Sequence, residues 1–281
     1  MITRVGRYRV TSLLGVGGLG SLYKARDEQV GRTVALRVVD PAIPADPVLR
    51  QAVIDAAAGA AALNDPALAM LFDTLSEDGA DALAFEYVDG TPARPRAEGG
   101  VSSMLYALDI VSAIARGLAH AHACGVTHGD VRPHNILVSA RGRPKLVETG
   151  FAAFSRGGAA RRALAQHPDR VPAEALAVAP YVSPEEAVGQ APSPAGDVFS
   201  LGVVFYELLT GAVPFEAAHP ADVLVRLARD EPLGPRRHNA AVSPALDALV
   251  LGCLDRSPRS RLTAQVVASR AAALLAALRD A

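Results

Sequence analysis

The sequence predicts an α+β chain of two lobes. A small β-rich N-terminal lobe carries one main helix, and a larger C-terminal lobe is mainly α-helical. Three observations predict this. Residues 7–39 alternate apolar and polar side chains around a glycine-rich break at 15–20, the period of half-buried strands. From about residue 101 the apolar spacing becomes helical, with Ile110, Ile114, Leu118 and Ala121 on one face. The 281 residues suffice for two lobes with a substantial core. Strands followed by helices, rather than interleaved with them, argue α+β.

In order, strands are expected near 8–14, 20–26 and 32–39. Residues 46–63 are alanine-rich and of high helix propensity, and Asp65-Pro66 ends that helix. Short strands follow near 69–75 and 81–87, and Asp89-Gly90-Thr91-Pro92 reads as a turn. A long helix ends near Gly125, a loop spans 127–135, and a strand pair lies around 136–147. Residues 152–180 are irregular, basic and punctuated by proline, and the remainder alternates helices with Pro/Gly breaks.

Composition narrows the function classes. Net charge is −1, so no global basic field draws the chain to nucleic acid. The two cysteines, Cys124 and Cys253, lie far apart and suggest neither a disulfide framework nor a zinc site. His120 and His122 are two apart on a helix and do not share a face, which argues against a metal role. The first residues lack the apolar core of a signal peptide. The longest apolar run, Val198–Leu209, is too short to span a bilayer. A soluble cytoplasmic protein is the expectation, with no membrane and no nucleic acid among its partners.

The motifs that carry chemistry come in a fixed order. Gly15-Val16-Gly17-Gly18-Leu19-Gly20 is a G-x-G-x-x-G loop, whose glycines let backbone N–H groups approach phosphates. Alone it also suits dinucleotide folds, but here it lies between two predicted strands. Val34-Ala35-Leu36-Arg37, Phe85-Glu86-Tyr87-Val88, His128-Gly129-Asp130-Val131-Arg132-Pro133-His134-Asn135 and Glu148-Thr149-Gly150 follow. Tyr181-Val182-Ser183-Pro184-Glu185, Asp197-Val198-Phe199-Ser200-Leu201-Gly202 and Arg261 complete the series.

This order resembles the eukaryotic-like Ser/Thr protein kinases of bacteria, over a single domain at residues 6–276. The resemblance implies an N-lobe over about 6–87, a hinge at about 86–90 and a C-lobe over about 91–276. It implies an adenine pocket of Leu14, Leu22, Ala35, Phe85 and Leu137, with Glu86 and Val88 at the hinge and ATP as the nucleotide. Gly15, Gly17 and Gly20 would cover the phosphates. Asp130 matches the base that accepts the substrate hydroxyl's proton, and Asn135 matches a metal ligand. Arg261 matches the arginine that pairs with Glu185.

The departures from the pattern are as informative. Arg37 stands where the family has the lysine that contacts the α- and β-phosphates, and guanidinium is no conservative replacement for ammonium. Only Lys24 and Lys145 are lysines, so arginine for lysine is the habit of this chain. The family's glutamate partner falls at Ala56, and no glutamate occurs in 40–70. Asp55 is adjacent, but one residue turns roughly 100° about the helix. Arg132 replaces a second phosphate-contacting lysine, and Gly129 replaces the arginine that binds a phosphorylated activation segment. Val178 sits where the family usually has a threonine touching the base.

Glu148 replaces the metal-binding aspartate, with a methylene that displaces its carboxylate, while Mg²⁺ demands near-ideal octahedral geometry. Service of Mg²⁺ or Mn²⁺ there is in doubt. Thr149 removes an aromatic that packs beneath the N-lobe helix. The sequence therefore reads as a pseudokinase, a regulatory or scaffolding module that holds ATP weakly and acts on protein partners. The alternative is a weakly active Ser/Thr kinase that transfers the γ-phosphate to protein hydroxyls.

Overall fold

The computed structural model describes residues 2–77, 80–96, 100–151, 154 and 177–280. The arginines Arg156, Arg161, Arg162 and Arg170, which make the predicted loop basic, lie outside the described residues.

The N-terminal lobe is an antiparallel sheet in the order β1-β2-β3-β4-β6-β5. Its strands are β1 (Arg4–Val5), β2 (Tyr8–Gly17), β3 (Gly20–Asp27), β4 (Arg32–Val39), β5 (Leu71–Glu77) and β6 (Ala80–Glu86). Period-2 alternation sorts their side chains onto two faces. Val34, Leu36, Val38, Ala82 and Ala84 join one buried cluster with Tyr8. Val39, Leu83 and Phe85 join the other, beneath α2. Two short helices, α1 (Ala42–Ala45) and α2 (Pro47–Ala61), follow β4. Asp46 starts α2 by accepting bonds from the backbone N–H groups of Val48 and Leu49, and Pro47 occupies the first turn, where its missing N–H costs nothing.

The stretch read as a turn at 89–92 is instead strand β7 (Gly90–Pro92). It pairs with β8 (Ile136–Ser139), which pairs in turn with β9 (Pro144–Leu146). The turn-forming residues are overridden by pairing at a sheet edge, where Pro92 is tolerated.

The C-terminal lobe is built on α3 (Gly100–Ala123), α4 (Pro184–Ala187), α5 (Pro194–Thr210), α6 (Pro220–Arg229), α7 (Pro244–Cys253) and α8 (Ala264–Arg279). By length and composition α3 is the one helix among the described residues that would reach across a bilayer. Its Ile110, Ile114, Leu118 and Ala121 are instead fully buried in the lobe core. α5 is apolar nearly all round and is buried from Gly196 to Tyr206, the signature of a central helix. Gly202 permits its close approach to α7, since a Cβ there would lie 2.6 Å from the Cβ of Cys253. Ser193 caps its start through the N–H of Gly196, and Gly211 ends it in the left-handed conformation.

A buried ion pair fixes the lower lobe. Arg261 donates to both carboxylate oxygens of Glu185, at 2.6 and 2.9 Å. Its remaining N–H groups reach the carbonyls of Ala195, Asp255 and Arg256. The pair named from the motif order is thus present. Truncating Arg261 to alanine leaves the Glu185 carboxylate buried without its cation, which costs about 3–5 kcal/mol. Urea unfolding of Arg261→Ala should show that loss. A midpoint equal to that of the parent protein would contradict the assignment.

Candidate active site

The candidate site is the cleft between the β-rich lobe and the loop that follows α3. Its main space is about 330 Å³. A smaller hollow of about 100 Å³ adjoins it at the hinge. Most of the residues predicted for nucleotide line the larger space: Leu14, Gly15, Gly17, Leu22, Arg37, Phe85, Val88 and Leu137. Ala35 and Glu86 line the hinge hollow. The Glu86 carboxylate bonds Lys145 at 2.8 Å, and Lys145 also reaches the Leu68 carbonyl at 3.3 Å. Lys145 thus ties β9 to the end of β6.

β4 delivers Arg37. Strand alternation puts it on the same face as Ala35 and Val39, toward the cleft and α2. There it is 7 % exposed, and burial pushes its guanidinium down to about 10, so it stays charged at neutral pH. One nitrogen donates to the Gly20 carbonyl at 3.1 Å, and another pairs with Glu148. Two glycines of the loop lie close to neighbouring groups, and the second of them is required. A Cβ on Gly17 would stand 3.3 Å from the Arg37 guanidinium, and one on Gly20, at φ +124°, would collide with the Val38 carbonyl at 2.1 Å. α2 offers Arg37 no partner among the described residues; Asp55 is exposed and bonds Gln51.

α5 positions the catalytic loop. The Asp197 carboxylate accepts from the backbone N–H of His128 at 2.8 Å and of Gly129 at 2.7 Å, and contacts His122 Nε2 at 2.8 Å. His128 in turn bonds the Val147 carbonyl at 3.0 Å, linking this loop to the Glu148 segment. His120 accepts from the N–H of Asn64 at 3.1 Å, so both histidines of α3 serve structure.

Asp130 is 1 % exposed and is not among the residues that line the cleft. Arg132 Nε donates to its Oδ1 and Asn135 Nδ2 to its Oδ2, each at 3.1 Å, and Asn135 Nδ2 also reaches the Asp130 carbonyl at 2.8 Å. Arg132, Asn135 and His134 do line the cleft. Burial, then the charge of Arg132, hold His134 below the ordinary imidazole range, so it is neutral at pH 7. The spacing of base and amide is retained, with both oxygens of the base already bonded.

The Glu148-Thr149-Gly150 segment departs furthest from expectation. Glu148 has φ +62°, the left-handed region that non-glycine residues seldom adopt. Gly150 is also left-handed, at φ +88°. These turns carry the chain so that Phe151, rather than residue 149, enters the cluster under α2. Phe151 meets Phe85 edge-to-face, ring centroids 5.4 Å apart, alongside Ala57, Ala60 and Phe154. The aromatic support read as lost at Thr149 is therefore supplied two residues later. Thr149 itself is buried, with no partner for its hydroxyl among the described residues. Phe151 and Phe154 also wall the cleft. No motif pointed to them; the phenylalanine two places after the replaced aromatic was the available signal.

The donor set is only partly suited to the divalent metals of phosphoryl transfer. Mg²⁺ needs near-octahedral oxygen ligation through free carboxylates and phosphates. The Glu148 carboxylate is paired with Arg37, whereas the Asn135 bond to Asp130 uses the amide nitrogen and not the Oδ1 that would ligate a metal.

Asp197 should be the anchor of the loop. Asp197→Ala strands two buried N–H groups, each charge-assisted bond being worth about 1.5–3 kcal/mol. Hydrogen exchange at the His128 and Gly129 amides should accelerate by at least about tenfold. Unchanged protection would show that the loop is held by other contacts.

Comparison with known proteins agrees with this architecture. Residues 8–271 match the protein kinase domain family. The chain is 34 % identical over 263 residues to the serine/threonine-protein kinase PknB of Mycolicibacterium smegmatis, covering 91 % of this chain and 40 % of that protein. It is 31 % identical over 262 residues to a probable serine/threonine-protein kinase of Streptomyces coelicolor, covering 91 % and 38 %. The chain thus spans about 40 % of the length of these relatives. In structure it is similar to the PknI kinase domain of Mycobacterium tuberculosis, with a TM-score of 0.67 at 22 % identity, covering 97 % of each chain. From the N-terminal sheet to the Glu185–Arg261 pair, the chain belongs to the protein kinase family, within its bacterial eukaryotic-like serine/threonine group.

Proposed function

We propose that this chain binds ATP in the interlobe cleft and acts mainly as a pseudokinase, a regulatory module for protein partners in the cytoplasm. The observation that carries the reading is the pairing of Arg37 with Glu148. Those residues occupy the positions of the phosphate-contacting cation and the metal-binding carboxylate, and here each is bound to the other. Loss of one well-placed transition-state stabiliser costs roughly 10²–10³ in rate. Such losses within one machine are not additive, but two or three suffice to bring a typical kinase near background. The adenine hollow supports nucleotide binding, since Leu14, Leu22, Ala35 and Leu137 still line it.

A second reading is a weakly active Ser/Thr kinase. It is favoured by Asp130 and Asn135, which keep their spacing, and by the relatives, which are described as serine/threonine kinases. Taken alone, the comparisons lend this reading more support than the first. ATP would then be the phosphate donor, with the metal chemistry that the family usually employs.

Transfer from γ-labelled ATP, to the chain itself and to a generic basic protein, separates the two. The pseudokinase reading predicts counts equal to those of Asp130→Asn, with Mg²⁺ or with Mn²⁺. Transfer that disappears in Asp130→Asn would make the chain an enzyme and overturn the first reading.

A further inference from the structure

We infer that the cleft takes a nucleoside triphosphate without a divalent metal, with Arg37 as the phosphate contact and Glu148 as its internal competitor. This rests on the nucleotide-binding reading above and says how that site would work.

Arg37 is placed for the task. Its guanidinium lies directly beneath Gly17 and donates to the Gly20 carbonyl, so it sits against the loop whose backbone would face phosphates. A buried guanidinium binds a carboxylate or a phosphate through the same planar fork. Its present partner is the more exposed of the two. The Glu148 side chain is 27 % exposed and that of Arg37 is 9 % exposed. The carboxylate can therefore turn toward water while the guanidinium stays, and an arriving phosphate would take its place.

The same geometry works against a metal. A divalent cation on Glu148 would stand beside the Arg37 guanidinium, and their repulsion in a partly buried site opposes it. The other acidic group of the loop, Asp130, carries Arg132 on one oxygen and Asn135 on the other. Glu148 and Asp130 thus each already have a guanidinium partner. Arg37 and Arg132 both line the cleft, and these two fixed charges would offset part of the charge of a polyphosphate. Glu148 then acts in the sense opposite to a metal ligand, because it weakens nucleotide binding by occupying Arg37.

Calorimetric titration of ATP into the full chain tests this, in EDTA and in excess Mg²⁺, for the parent protein and for Glu148→Gln. The parent should bind in EDTA, with affinity within about threefold of that in Mg²⁺. Glu148→Gln should bind about tenfold tighter in both conditions. Binding that requires Mg²⁺, or that weakens in Glu148→Gln, would identify Glu148 as a metal ligand and overturn the inference. An unchanged affinity in the variant would overturn the competition. If no ATP binding is seen for either protein in either condition, the nucleotide reading itself falls. Should the variant fail to fold, the EDTA and Mg²⁺ titrations of the parent protein still decide on the metal.

Discussion

The Arg37–Glu148 ion pair is the interaction around which the cleft is organised. Arg37 belongs to the central β4 strand of the N-terminal sheet, and Glu148 to the segment that follows β9. The guanidinium also holds the Gly20 carbonyl, so one side chain joins the glycine-rich loop, the sheet and the opposite wall. Burial lowers the guanidinium only to about 10, which leaves it charged throughout the physiological range. A lysine would supply the charge as a compact point donor rather than through a planar fork. Glu148 adopts the left-handed backbone region, and Phe151, three residues on, packs in the cluster under α2.

The rest of the molecule keeps the family's scaffold while the cleft departs from it. Asp197 still orders the catalytic loop, Ser183 and Glu186 still form a capping box at the start of α4, and Arg261 still clamps Glu185. These bonds sustain the fold whether or not phosphate is moved, because each satisfies a buried polar group that would otherwise be stranded. Among the positions that changed, Arg37, Arg132 and Glu148 are those whose value in the family lies in contacting phosphate or metal. On the proposed reading, change at those positions costs little stability while altering catalysis, so that a well-folded kinase scaffold and a rearranged active site coexist in one chain.

Much of this was legible in the sequence because it depends on local pattern. Helical spacing in α3 marks the core, and motif order places Arg37 at the phosphate-contacting position and pairs Glu185 with Arg261. What was not legible depends on unusual backbone or on distant partners. Nothing in the residue types signals that Glu148 would adopt positive φ, so neither its reach to Arg37 nor the entry of Phe151 could be read. The segment at 90–92 misled for a related reason. Its glycine and proline favour a turn locally, and only pairing with β8 makes it a strand.

The most direct test of this account is a double-mutant cycle on Arg37 and Glu148, using Arg37→Met and Glu148→Gln with urea unfolding as the readout. If the two side chains are committed to each other, their effects will be non-additive, with a coupling of about 1 kcal/mol or more, as for residues in one ion-pair network. Additive effects, with a coupling indistinguishable from zero, would mean that Arg37 and Glu148 stand independently, each available to phosphate and metal as in a working kinase.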